Sequence, residues 1–261
     1  MKQIAILASL ILLIACNDTT NKKAPATEEL TADAIVEKAI DVACSGHCED
    51  ATIEFKFRKN YYKSVRKDGM YTFERQIVDS SGVVTRDVLK NTGFERFINE
   101  QAISLPDSLA AIHAANVNSV HYFVQLPFGL RTPAAIKELV GEDTINGEPY
   151  YEIAVHFSKE GGGTDYEDKF MYWVHKEDFT VDYLAYSYAV NGGGVRFREA
   201  YNPRVIDGIR FVDYKNYNYE HTDVELSKLD EIFQKGTLPL LSTIEIEDIH
   251  ITLPRYAKPN Q

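Results

Sequence analysis

The sequence predicts an α+β fold built mainly of antiparallel strands, about eleven or twelve in one large curved sheet, with one helix ahead of the sheet and one inserted into it. Three observations predict it. Apolar and polar residues alternate with period two over much of the chain. The breaks between alternating runs fall at Asp68-Gly69, Ser81-Gly82, Thr92-Gly93, Asn146-Gly147 and Asp207-Gly208, pairs suited to tight turns between antiparallel strands. Helical spacing, by contrast, occurs in only a few places, and no βαβ repeat exists, which excludes doubly wound nucleotide folds and (β/α)₈ barrels.

The chain opens "MKQIAILASLILLIAC": one positive charge at Lys2, an apolar run from Ile4 to Ile14, then Ala15 and Cys16. The run is too short for a mature membrane span and has the three parts of a secretory signal. Leu13-Ile14-Ala15-Cys16 resembles the lipobox of bacterial lipoproteins, which implies a signal peptide over 1–15 and acylation of Cys16. Residues 16–30 then form a polar tether reaching roughly 20 Å on average, and 31–261 a single domain. The expected location is the cell envelope, lipid-anchored, with the outer membrane favoured over the inner and the domain facing periplasm or surface.

A helix is predicted over 32–43, capped by Thr31, with Ile35, Val36, Ala39, Ile40 and Ala43 as its apolar stripe. "CSGHC" follows. In an oxidising compartment Cys44 and Cys48 are expected to form a disulfide contributing about 2 kcal/mol by the loop-entropy argument. That bridge requires the helix to stop near Ser45-Gly46. The alternative is a metal site on Cys44, His47 and Cys48, for which no fourth ligand stands out.

Strands begin with "ATIEFKFR", which sets Ala51, Ile53, Phe55 and Phe57 on one face. They continue at about 61–66, 70–78, 83–89 and 94–98. The second helix is predicted over 107–124, then a hairpin of 136–145 with 148–157 around Asn146-Gly147, and a short helix over 224–234. In the later strands, tight turns set Val174 against Val181, Tyr172 against Tyr183 and Phe170 against Ala185. They also set Val190 against Val195, Tyr186 against Glu199 and Asn202 against Asp213. These registers gather Met171, Trp173, Leu184, Tyr186, Tyr188, Val195, Phe197, Tyr201 and Tyr214 on one aromatic face. Arg196, Arg198, Asn202, Arg204 and Asp213 fall on the other.

"ELVGEDTINGEPYYEIAVHF" and "DKFMYWVHKEDFTVDYLAY" resemble the recurrent hairpin pair of the LolA/LolB-like superfamily of periplasmic lipoprotein carriers. The run from "YFVQLPFGL" through "GGGTDYEDKFMYWVHKED" to "GGGVRFREAYNPRV" looks like a family of uncharacterised Gram-negative lipoproteins. The resemblance implies a half-barrel wrapped around a helix, enclosing an apolar cavity that accepts acyl chains.

Two readings of the aromatic face therefore stand. In the first, Trp173, Leu184, Tyr186, Phe197, Tyr201 and Tyr214, with Ile112 and Phe123 of the second helix, line a cavity for a lipid or another apolar ligand. In the second, helices fill the face and the protein is an interaction or scaffold protein. Arg196, Arg198, Asn202 and Asp213 are the polar or headgroup candidates, Arg being suited to anions by its fork of donors; cross-strand pairing at the sheet edge is the alternative.

A net charge of -11 makes nucleic acid and anionic lipid surfaces poor partners, and a monomer is expected. The seven histidines include no HExxH pair and no GxSxG is present, so no catalytic residue or cofactor is nominated and a hydrolase is the weakest option. "GGGTDYED" offers Asp165, Glu167 and Asp168 as weak calcium candidates without EF-hand spacing.

Overall fold

The computed structural model describes residues 30–161, 166–189 and 192–254. Cys16, Asp165 and Val190 lie outside them. Helix α1 (Ala32–Cys44) starts where Thr31 Oγ1 accepts the Ala34 amide at 3.2 Å, and its predicted stripe is buried. It ends at Ser45, whose φ of 47° turns the chain, and Cys44 bonds Cys48 across a Cα separation of 5.3 Å.

Six strands follow: β1 (Thr52–Phe57), β2 (Asn60–Lys67), β3 (Met70–Val78), β4 (Val84–Lys90), β5 (Gly93–Ile98) and β6 (Gln101–Ile103). Helix α2 (Asp107–Val124) and a 3-10 turn at Phe128–Arg131 lead into β7 (Ala135–Ile145), β8 (Glu148–Phe157), β9 (Lys169–His175), β10 (Val181–Tyr188), β11 (Gly194–Ile206) and β12 (Ile209–Tyr219). Helix α3 (Leu229–Gln234), β13 (Leu240–Ile244) and β14 (Ile246–Thr252) complete the described fold.

Among the described residues the strands number fourteen rather than eleven or twelve, and they form two seven-stranded antiparallel sheets, curved but not closed, in an α+β arrangement. The first sheet runs β14-β1-β2-β3-β4-β5-β6 and the second β13-β12-β11-β10-β9-β8-β7. Only Glu245 separates β13 from β14, so the chain changes sheets there. Asp213 fixes the change. Its carboxylate accepts the Ile246 amide at 3.0 Å, Asn202 Nδ2 at 2.7 Å and Arg204 Nη2 at 2.9 Å.

The second sheet is buried on both faces. On its inner face Tyr172, Leu184, Phe211 and Tyr214 pack with Ile35 and Ile40 of α1 and with Ile53 and Phe55 of β1. On its outer face Met171, Trp173, Tyr183, Val195 and Phe197 pack under Leu229 and Leu238, with half-buried Phe233 beside them. Burying such side chains contributes roughly 1.5–3 kcal/mol each, so both faces hold the domain together.

This arrangement corrects the expected face assignment. Val181 does pair with Val174, but an irregularity before Tyr183 shifts the pairing by one, so Tyr183 faces Trp173 and Leu184 faces Tyr172. Between β10 and β11, Tyr186 faces Arg196 instead of Glu199. Odd shifts exchange faces. Trp173 and Phe197 therefore lie opposite Leu184, Tyr186 and Tyr214, while Arg196 and Arg198 join the inner, aromatic side. A bulge between Tyr201 and Arg204 sets Tyr201 against Asp213, yet the Asn202–Asp213 contact survives as the hydrogen bond above.

Helix α2 lies on the first sheet by a polar route. Of its residues only Val117 and His121 are fully buried. Beneath it Asp87 is closed off from solvent and binds Arg75 and Arg96, each at 2.6 Å, and Arg96 reaches His113 at 3.1 Å.

Candidate functional site

The C-terminal end of α2 crosses from the first sheet to the inner face of the second, because Tyr122 and Phe123 follow the buried His121. The Tyr122 and Tyr172 hydroxyls hydrogen-bond to each other. Phe123 tilts against Tyr186 at 5.2 Å between ring centroids, and Phe170 lies 5.9 Å from Tyr186 and 5.7 Å from Phe157. Aromatic rings thus line the junction of helix and sheet.

Arg198 enters this junction from β11. Its guanidinium carbon stands 4.0 Å from the Phe123 ring centroid, 5.0 Å from that of Tyr186 and 5.8 Å from that of Tyr214. Its Nη2 donates to the Tyr186 hydroxyl at 2.8 Å and its Nε to Asn216 Oδ1 at 3.4 Å. The residue is 7 % exposed, and among the described residues no carboxylate lies within ion-pair distance of it. Burying an unpaired charge is costly, and ring faces with two neutral acceptors offset only part of that cost. The arrangement suits an anion reaching the guanidinium from the junction.

Leu184, Tyr186, Tyr214 and Phe123 thus meet around Arg198, whereas other candidates fall elsewhere. Trp173 and Phe197 are on the outer face. Tyr201 donates to Glu245 at the sheet change, at 2.9 Å. Ile112 is 56 % exposed on α2. Arg196, on the same face as Arg198, donates to Asn218 Oδ1 at 2.7 Å and lies over Tyr188, while Asn202 and Asp213 serve the strand change. Glu167 accepts from the neighbouring Tyr166 at 3.2 Å, and Asp168 engages partners of its own. A small pocket of about 130 Å³ beside the disulfide is lined by Asp41, Cys44, Gly46, Cys48, Glu49, Phe128 and Arg131.

One cluster went unread in the sequence. Asp143 of β7, Glu152 of β8 and Asp230 of α3 bring carboxylate oxygens within 4.8 Å of one another on the outer side of the second sheet. Burial, reinforced by the charge of Asp143, pushes both Glu152 and Asp230 above the usual carboxylate range. The residues are far apart in sequence, so spacing gave no warning. A usable signal was the uninterrupted apolar run "FMYWV" in β9, which indicates a strand buried on both faces and hence a cover for the outer one.

The profile of a family of unknown function, DUF6503, matches residues 11–248. No curated protein matches the chain. Among solved structures it is similar to a LolA superfamily protein from Nitrosomonas europaea, with 14 % identity over 88 % of this chain and 96 % of that one and a TM-score of 0.50. It is also similar to a DUF1329 family protein from Desulfovibrio piger, with 9 % identity over 87 % of this chain and 95 % of that one and a TM-score of 0.39. At 14 % identity and a TM-score of 0.50, the likeness to the LolA superfamily protein is one of fold. Among the described residues no helix is long and apolar enough to cross a membrane.

Proposed function

The chain belongs to the DUF6503 family, and for it we propose an envelope lipoprotein, anchored through acylated Cys16, that holds an amphiphile with an anionic head. The head sits at Arg198 and the apolar part lies along Phe123, Tyr186, Phe170 and Tyr214, between the second sheet and the end of α2. The outer membrane is the favoured location, with the domain from residue 31 onward on the tether. The observation that carries the reading is the guanidinium of Arg198, buried among rings with no carboxylate of the described residues beside it. A carboxylate or phosphate oxygen there would neutralise it in a low-dielectric setting, where a charged hydrogen bond is strong. The LolA-like fold supports the reading through the acyl-chain cavity its superfamily implies.

A second reading, an envelope interaction protein with a solid core, draws on the mutual packing of the same rings, Phe123 on Tyr186 and Phe170 on Tyr186. Native mass spectrometry separates the two. Residues 17–261, exported without the acylated cysteine, are expected to carry a co-purifying anionic amphiphile. Arg198→Met is expected to lower its retention about 10- to 100-fold, the equivalent of one hydrogen bond to a charged group, with unchanged circular dichroism. Repeated preparations without any amphiphile, and no uptake of a fluorescent fatty acid, would favour the solid core.

A further inference from the structure

The outer side of the second sheet carries a polar centre independent of the proposed ligand junction. Gly141 faces Glu152 across β7 and β8, which puts Asp143, two residues further along, diagonally beside Glu152 on the same face. Gly141 matters here because a Cβ at its position would stand 2.7 Å from Glu152 Oε2, so the missing side chain leaves room for that carboxylate. Trp173 Nε1 donates to the other oxygen, Oε1, at 3.2 Å and fixes the group's orientation. Asp230, in the first turn of α3, closes the cluster from above.

Asp230 is fully buried, and neither of its carboxylate oxygens makes a well-formed hydrogen bond among the described residues, with the Glu231 amide and the Asp143 carboxyl beside it. A buried acceptor normally has a partner. The nearby Lys228 ammonium is engaged with Glu231 at 3.1 Å. Three acids therefore converge within 4.8 Å, two of them buried, and the half-buried Asp143 leaves one side open to water.

We propose that Asp143, Glu152 and Asp230 bind a calcium ion that clamps α3 onto the outer face of the second sheet. The donor set consists of oxygen alone, which disfavours zinc, and carboxylates that bind through one or both oxygens, completed by water, suit the large and irregular shell of calcium better than the strict octahedron of magnesium. Clamping α3 holds Leu229 and Phe233 over Trp173 and Phe197.

Trp173 is the chain's single tryptophan and touches Glu152 directly, so it reports on the site. The full chain, purified in detergent and stripped with EDTA, is titrated with calcium, magnesium or zinc while tryptophan emission and Tm are followed. Saturable calcium binding is expected to shift the emission and, at about 100 times Kd, to raise Tm by about 5 °C, with a weaker magnesium response. Asp143→Asn, on the open side, is expected to abolish both effects while retaining the fold, as is Asp230→Asn. The exposed Asp248→Asn is expected to keep them. No response up to about 10 mM calcium, beyond the range of weak extracellular sites, would overturn the proposal. So would emission that titrates with pH and ignores every cation, since the cluster would then hold a shared proton.

Discussion

His121 is the residue whose surroundings say most about how α2 is held. Its Nε2–H donates to the Glu74 carbonyl at 3.1 Å, which leaves Nδ1 to accept from Gln125 Nε2 at 3.4 Å, so the neutral ring is satisfied on both sides. Phe73 stacks on it at 4.5 Å, Phe55 and Tyr62 meet it edge-on, and the Arg66 guanidinium lies nearby. Burial pulls the imidazole down to about 3. Unfolding restores the ordinary value near 6.5, so the unfolded chain binds a proton that the folded one refuses. The stabilising contribution is therefore intact above pH ~6.5 and is lost as pH falls toward 3, at up to about 1.4 kcal/mol per pH unit. Tm measured from pH 7 to pH 4 is expected to fall more steeply for the native chain than for His121→Gln. Parallel curves would show that His121 does not drive the loss.

At the scale of elements, the same physics explains what could be read in advance and what could not. Helix α1 and the hairpin at Asn146-Gly147 were legible because capping, apolar spacing and turn residues are local signals, whereas α2 keeps its expected span without a side-chain cap and leaves Leu109 and Ile112 exposed. The pairing of β9 with β10 and of β10 with β11 was not legible. The irregularity before Tyr183 turns β10 over relative to β9, the register of β10 with β11 differs by an odd number as well, and nothing local marks either. For that reason Arg198, expected on the mixed face, sits among rings. Strand β14 depends on a buried element-to-element tie, in which Asp213 accepts from Ile246, Asn202 and Arg204. Asp213→Ala is expected to cost about 3 kcal/mol, since it strips partners from a largely buried arginine and a strand amide. Hydrogen exchange should then accelerate first along Ile246–Thr252. Uniform loss of protection across both sheets would argue against a local tie.

For the whole molecule, the sequence carried the strand-rich class and the turn positions, whereas the division into two sheets was hidden. Glu245 looks like one more polar residue in "STIEIEDIH", yet there the backbone leaves β12 and joins β1. Removing residues 246–261 is expected to expose the edge of β1 and to yield soluble aggregates by size-exclusion chromatography that the full chain does not form; an unchanged elution profile with unchanged Tm would contradict this. The sheet change also closes a long loop. Strand β1 and its outer neighbour are 189 residues apart, counting from Phe57 to Ile246. Pairings that distant in sequence are slow to form, because the entropy of closing the loop is lost before the contact stabilises anything. Until it forms, β1 keeps an open hydrogen-bonding edge beside α1, so β14 acts as the clasp that ends the chain's most vulnerable period.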